Sequence, residues 1–378
     1  MDNLAHSLVG LTAAKAGLEK LSPGATTVCV VSANLADADF ISLFFGDRWT
    51  LLQYHRGITH SIVGTLAIGL VAPVVALFIE RIAARARARK PRIRPGGLFL
   101  ASLIAAATHP ILDWTNNYGV RPFLPWSPRW FYGDLVFIVD PYIWLGLGAV
   151  AFLLTSDKRW KLIGWAVIGL IATAVISAAT RQSGPGFTAV KVALTIWVIA
   201  ISGVIALRWL GKQQGLGRRA AFTALVALVF YWGVLAAAHA AGARRTLEVA
   251  EKIAANNGEQ LLRTATMPTE VSPLSWQAVA ETNLAVYRFT FILGVGFSDP
   301  QATRFPKPAG LEQQLVSVAE RDRRARALLG FARFPIARAP SDNCVGQALV
   351  QFADLRYTEP GRGRGNFSVN VPIDCPSQ

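Results

Sequence analysis

The chain has 378 residues, 52% of them hydrophobic and only 16% charged. A soluble domain usually carries about 25% charged residues, so a wholly soluble protein is excluded. The net charge of +15 invites a nucleic-acid reading, but the cations are gathered in short loops between apolar runs, which is how topology is set beside anionic lipid. Membrane lipids are therefore expected partners and nucleic acid is not.

In chain order, residues 4–21 form a short apolar segment carrying His6, Lys15 and Lys20, which either spans or lies at the interface as an amphipathic helix. The acidic start Met1-Asp2-Asn3 does not read as a cleaved signal. Segment 25–45 is apolar but holds Asn34, Asp37 and Asp39. The run 57–80 follows, then the basic loop 81–95, then 96–113 with His109 and Asp113 near its end. A tryptophan-rich loop, 114–134, suits a membrane interface. Segments 135–155, 162–180, 189–210 and 220–242 complete the series. Each is about the 20 residues that a spanning helix needs. The fold expected for residues 1–242 is thus an all-α polytopic membrane domain with seven or eight spanning helices.

Residues 243–378 change character and read as a small α+β soluble domain. Residues 243–263 have a polar helical pattern and 312–330 a basic amphipathic one. Stretches 286–291, 348–352 and 366–371 alternate like strands. Placing the three basic loops, 81–95, 158–161 and 208–219, in the cytoplasm puts both termini and this domain outside, in the periplasm. Cys344 and Cys375 would then meet an oxidising compartment and form a disulfide, while Cys29 is a small buried residue in a span.

The same threading gathers every histidine at the outer face. Ionisable groups in a bilayer are costly and usually line a cavity, and histidine with carboxylate is the ligand chemistry of zinc and related metals. His109 and Asp113, four apart, share a helical face, as two ligands or as a ligand and its orienting carboxylate; Pro110 between them is expected to kink the span. His55 and His60, five apart, diverge on a continuous helix, so Gly57 is read as a break that lets both turn inward. Asp37 and Asp39 point to opposite faces of a regular helix. Arg56 suits an anion clamp. Asp134 and Asp140 stand behind the ligands, although Asp140-Pro141 also reads as a helix start. His239, in an alanine-rich run, reads as a buried residue. No Walker motif, dinucleotide fingerprint, nucleophile elbow or His-Glu-x-x-His occurs, so no organic cofactor is expected.

The succession Asp2 to Ser7, Asn34 to Asp39, His55-Arg56-Gly57-Ile58-Thr59-His60-Ser61, His109 to Asp113 and Gly133-Asp134 to Asp140-Pro141 resembles the YdjM-type family of bacterial inner-membrane proteins, over about residues 1–145. That family is described as metal-dependent hydrolases, so the resemblance implies a metal and hydrolysis. The reading is a hydrolase of a phosphoester or a small or lipid-linked substrate. His6, Asp37, His55, His60 and His109 would hold a divalent metal, zinc first, with manganese or magnesium as alternatives. Asp39, Arg56 and Asp113 would carry the chemistry. A divalent-metal or proton-coupled transporter is the alternative, and an envelope scaffold the weaker one.

The charge rule makes a direct prediction. Alkaline phosphatase fused after residue 260 is expected to be active, and green fluorescent protein at the same point dark. The reverse result would place the tail in the cytoplasm and remove the compartment argument for the cysteines.

Overall fold

The structure, a computed structural model, describes residues 1–182, 187–211, 215–270, 272–294, 300–340, 346–361 and 367–375. Side chains of 179–190 are not described. The chain divides into two compact units. The first holds Met1–Ala38, Arg56–Ala238 and Pro268–Pro273; the second holds Asp39–His55, His239–Met267 and Leu274–Gln378.

The first unit is helical. It contains α1 (Asn3–Ala16), α2 (Ala25–Asn34), α4 (Ile62–Ala86), α5 (Pro95–Trp114), α6 (Pro141–Thr155), α7 (Arg159–Gln182), α8 (Phe187–Trp209) and the first part of α9 (Arg218–Asn256). Six helical stretches among the described residues are long and apolar enough to cross a membrane: Ala25–Phe44, α4, α5, Arg159–Ala178, Lys191–Trp209 and α9. The expected count of seven or eight is therefore not reached on length. Helix α1 has 14 residues and α6 has 15, short of the roughly 20 a span needs.

Small residues let the helices around the site approach closely. Ala14, Ala25, Cys29, Ala101 and Ala105 are fully buried together where α1, α2 and α5 meet, the packing expected where apolar helices gain little from burial in lipid. A Cβ at Gly10 would lie 2.8 Å from the Cys29 carbonyl oxygen, so only glycine admits this crossing of α1 and α2. A larger core joins Leu8 and Val9 of α1 to Ile143, Trp144 and Leu147 of α6.

The second unit is α+β. Strands β1 (Leu261–Pro268), β2 (Ser275–Thr282), β3 (Ala285–Ile292) and β4 (Thr303–Pro306) form a sheet in that order; β5 (Pro335–Arg338), β6 (Gln347–Asp354) and β7 (Ser368–Asp374) form another. Pairing is antiparallel, with Val279 opposite Arg288 and Val350 opposite Val371. The sheets share a core in which Met267, Val279 and Phe305 meet Phe334, Ile336 and Leu355. Each alternating stretch read from the sequence lies in β3, β6 or β7, except Phe367, which precedes β7, and Asn366, which falls outside the described residues.

The expected helix 312–330 is two helices, α10 (Gly310–Ala319) and α11 (Arg323–Phe331). Asp322 breaks it by capping α11, its carboxylate accepting from the Arg324 N–H at 2.7 Å. The expected helix 243–263 is the end of α9, which stops at Asn256 before Gly258 adopts φ +64. Cys375 is disulfide-bonded, whereas Cys344, its expected partner, lies outside the described residues.

Segment Asp39–His55 belongs to this unit although it sits between two helices of the first. Its helix α3 (Arg48–Tyr54) is opened by an Asp47–Thr50 capping box and packs on α11. Arg323 on α11 bonds Asp47 at 2.5 Å, and Arg48 reaches the Ser368 carbonyl at 3.3 Å.

The tail also buries an ion pair. Arg356 and Asp354 are both fully buried, Nη2 to Oδ2 2.7 Å apart, with the guanidinium 4.5 Å from the Phe331 ring centroid. Removing one partner of a buried pair leaves the other uncompensated and costs about 3–5 kcal/mol. Arg356→Ala is expected to lower the free energy of tail opening by about that amount, measured by hydrogen exchange at β6 amides. A loss well under about 1 kcal/mol would show that the pair does not hold the sheet.

Candidate metal centre

Three segments of the first unit deliver four ligand atoms, one from each of four residues. His109 and Asp113 lie four apart on α5, which continues through Pro110. Asp37 comes from the 3-10 stretch Leu35–Phe44 that prolongs α2. His60 ends a 3-10 turn, Ile58–His60, just before α4. Asp37, His60, His109 and Asp113 are all buried, and their ligand atoms all lie within 4.8 Å of one another.

The separations identify the geometry. His60 Nε2 is 3.1 Å from His109 Nε2, 3.3 Å from Asp37 Oδ1 and 3.2 Å from Asp113 Oδ2. His109 Nε2 is 3.5 Å from Asp37 Oδ1 and 3.4 Å from Asp113 Oδ2. Four ligands at about 2.0–2.1 Å from a tetrahedral ion are separated by about 3.3–3.4 Å along each edge. Five edges measured here average that value. The donor set, two imidazoles and two carboxylates, fits a divalent ion.

Neighbours fix the ligands. His109 Nδ1 lies 2.7 Å from the Ala33 carbonyl oxygen. A carbonyl only accepts, so Nδ1 carries the proton and Nε2 presents its lone pair to the centre. His60 Nδ1 is 3.0 Å from Thr59 Oγ1. Ser61 caps α4 by accepting from the Gly64 N–H at 3.1 Å, which sets where the helix begins and so where His60 stands.

His6, from the first turns of α1, stacks on His109 with ring centroids 3.7 Å apart and planes 8° from parallel. Its Nε2 is 3.4 Å from Asp113 Oδ1. It is thus beside the four-residue group, on the other oxygen of Asp113, which also takes the Met1 α-amine. Arg56, expected as an anion clamp, is only 3% exposed and is turned onto Asp113. Its Nη2 is 2.9 Å from Asp113 Oδ1, and Nη1 donates to Asn116 Oδ1 at 2.9 Å and the Gly119 carbonyl at 3.2 Å. Its guanidinium lies 4.5 Å from the Tyr118 ring centroid. The left-handed backbone of Arg56, φ +53, is strained for a side chain of this size.

The other expected site residues stand outside that four-residue group. Asp39 and His55 lie in the second unit and pair with each other, His55 Nδ1 to Asp39 Oδ1 3.0 Å. Asp134 is buried outside the four-residue group, in a loop at φ +53. Asp140 caps α6, accepting from Tyr142 and Ile143 N–H at 2.8 and 3.0 Å and from the Tyr231 hydroxyl at 3.0 Å. His239 packs in the second unit against Trp276, its Nε2 3.1 Å from the Thr266 carbonyl oxygen. Asn34 bonds Ser7 across α1 and α2. The sequence reading missed Asn116 and Tyr118. Two consecutive asparagines so soon after Asp113 in an aromatic loop were the available signal.

Residues 1–183 match the family model of the YdjM inner membrane protein, a longer stretch than the motifs alone cover. Over 162 residues the chain is 28% identical to the uncharacterized protein YfhP of Bacillus subtilis (strain 168); the match covers 40% of this chain and 46% of that protein. The chain therefore aligns with less than half the length of that relative. No solved structure matches. His6, Asp37, Arg56, His60, His109 and Asp113 all fall inside the family match.

One glycine tests the geometry without touching a ligand. A Cβ at Gly64 would stand 2.0 Å from the Ile58 carbonyl oxygen and 2.8 Å from Thr59 backbone atoms, so the turn carrying His60 must move. Gly64→Ala is expected to weaken metal binding about 10–100-fold, the range for losing ligand-orienting contacts. Gly96→Ala, where nothing lies within 4 Å, is the control and should bind as wild type. Equal affinities in titrations of the metal-stripped variants would refute the role given to this turn.

Proposed function

We propose that the protein is a membrane-bound metal-dependent hydrolase, acting on a phosphoester or lipid-linked substrate at the outer face of a bacterial inner membrane. The observation that carries this reading is the set of tetrahedral edges among Asp37, His60, His109 and Asp113 inside an apolar bundle. Zinc suits the two-imidazole, two-carboxylate set, with manganese as the second candidate. When bound, such an ion lowers the pKa of a coordinated water and polarises a scissile group.

The chain's own residues supply the rest. Ala33 and Thr59 orient the two imidazoles. Arg56 holds Asp113 fixed through its Nη2 contact with Oδ1, so it is a positioning residue. His6, stacked on His109 with its Nε2 toward Asp113, is the group placed to move a proton. The reading rests on first-unit residues alone.

Two features support the outer-face placement. The loop segment Asp39–His55 packs within the tail's own unit, so loop and tail share one side of the membrane. The three basic loops fall on the other side of the same threading. A transport path needs polar groups through the full depth of the membrane. Runs 162–180 and 220–238 hold no charged residue or histidine, which favours the enzyme.

Metal analysis of detergent-purified protein is expected to find one divalent ion per chain, falling to background in His60→Ala and His109→Ala. Hydrolysis of a chromogenic phosphodiester should be lost in the same variants. His6→Gln should retain the ion while kcat falls and its pH profile changes. Full metal content with no hydrolysis, together with metal-dependent proton uptake in vesicles, would favour the transporter.

A further inference from the structure

A second feature of the first unit is independent of the metal centre. Helices α6, α7 and α8, with Leu4 and Leu8 of α1 on one side, line a half-open cavity of about 610 Å³. Small-molecule sites fall between about 300 and 1,000 Å³ and are mostly apolar with a few placed polar groups. Here the only charged residue in the lining is Arg208.

Dimensions and charge select the occupant. Lining residues run from Leu162 to Thr173 on α7 and from Trp197 to Trp209 on α8, about 17–18 Å at 1.5 Å rise per residue. One leaflet of hydrocarbon is about 15 Å, half of a 30 Å core. Arg208 stands at one end of this length beside Trp209, the pairing of cation and tryptophan expected at headgroup level. Its Nε bonds Ser156 Oγ at 3.1 Å and its Nη2 the Ser156 carbonyl at 3.0 Å, which fixes the guanidinium plane at the cavity's end. At the other end Trp144 and Trp197 meet edge to face at 6.5 Å, and Trp197 is anchored by Thr173 at 2.9 Å. His6 lies two residues from both Leu4 and Leu8, so the cavity and the metal centre use opposite faces of α1.

We infer that this cavity binds one acyl chain of an anionic phospholipid, with the headgroup phosphate at Arg208. A single apolar slot the depth of one leaflet, with a fixed cation at one end, matches a chain and its phosphate. The occupant is a bound lipid rather than the hydrolase substrate, because α1 separates it from the metal ligands.

The test uses the full chain in micelles loaded with equal phosphatidylglycerol and phosphatidylcholine, read by native mass spectrometry during stepwise delipidation. Wild type should retain one phosphatidylglycerol per chain after other lipid is lost. Gly169 lines the cavity and a Cβ there meets nothing within 4 Å, so Gly169→Phe adds bulk to the lining without a Cβ clash, and replacing a helical glycine does not threaten the helix. This variant should lose the retained lipid. Arg208→Gln should retain a lipid but bind the two headgroups alike. No retained lipid in wild type, or undiminished retention in Gly169→Phe, would overturn the acyl-chain assignment. An unchanged phosphatidylglycerol preference in Arg208→Gln would overturn the phosphate assignment.

Discussion

The first unit depends on bringing two carboxylates and two imidazoles to one point inside an apolar bundle. Burying ionisable groups is costly unless they are paired and hydrogen-bonded, so the surrounding structure is shaped by their needs. Gly10 lets α1 and α2 close on each other, bringing His6 over His109. The α2 C-terminus offers the Ala33 carbonyl to the same ring. Arg56 accepts a strained backbone and binds Asp113, Asn116 and Gly119 together. The Ala33 and Arg56 contacts go beyond what packing apolar helices requires, and both act on the four donors.

The chain spacing made part of this site legible. His109 and Asp113 share a face because a helix requires it, and Pro110, read as a kink, falls near the end of a helix that continues through it. Gly57 did mark the break that frees His60. In the fold His55 ends α3 and belongs to the second unit, with Asp39 as its partner. Asp37 joins the four-residue group, while Asp39 pairs with His55, a division that no local pattern announces. Asp140 spent its carboxylate on a helix start, which Asp140-Pro141 had signalled.

In the tail, alternation located β3, β6 and β7 because each has one face in the core. The helix break at Asp322 was visible as an N-cap residue inside an otherwise continuous amphipathic pattern, and the pattern masked it. Length misled for α1 and α6. Their apolar runs extend into loops beyond the Gly17 C-cap of α1 and before the Asp140 N-cap of α6, so hydropathy counted residues that the helices do not contain.

The excursion Asp39–His55 bears on modularity. It leaves the first unit two residues after Asp37 and returns at Arg56, so in the sequence both its ends adjoin residues of the site. Between them α3 buries Trp49 and Leu52 and relies on α11 for cover. A chain cut after residue 242 would keep that short helix and discard its cover, exposing apolar surface. A chimaera that exchanged the tail with that of a relative would meet the same obstacle unless residues 39–55 were exchanged with it. The loop and the tail therefore form one heritable part, although nearly two hundred residues of membrane sequence separate them.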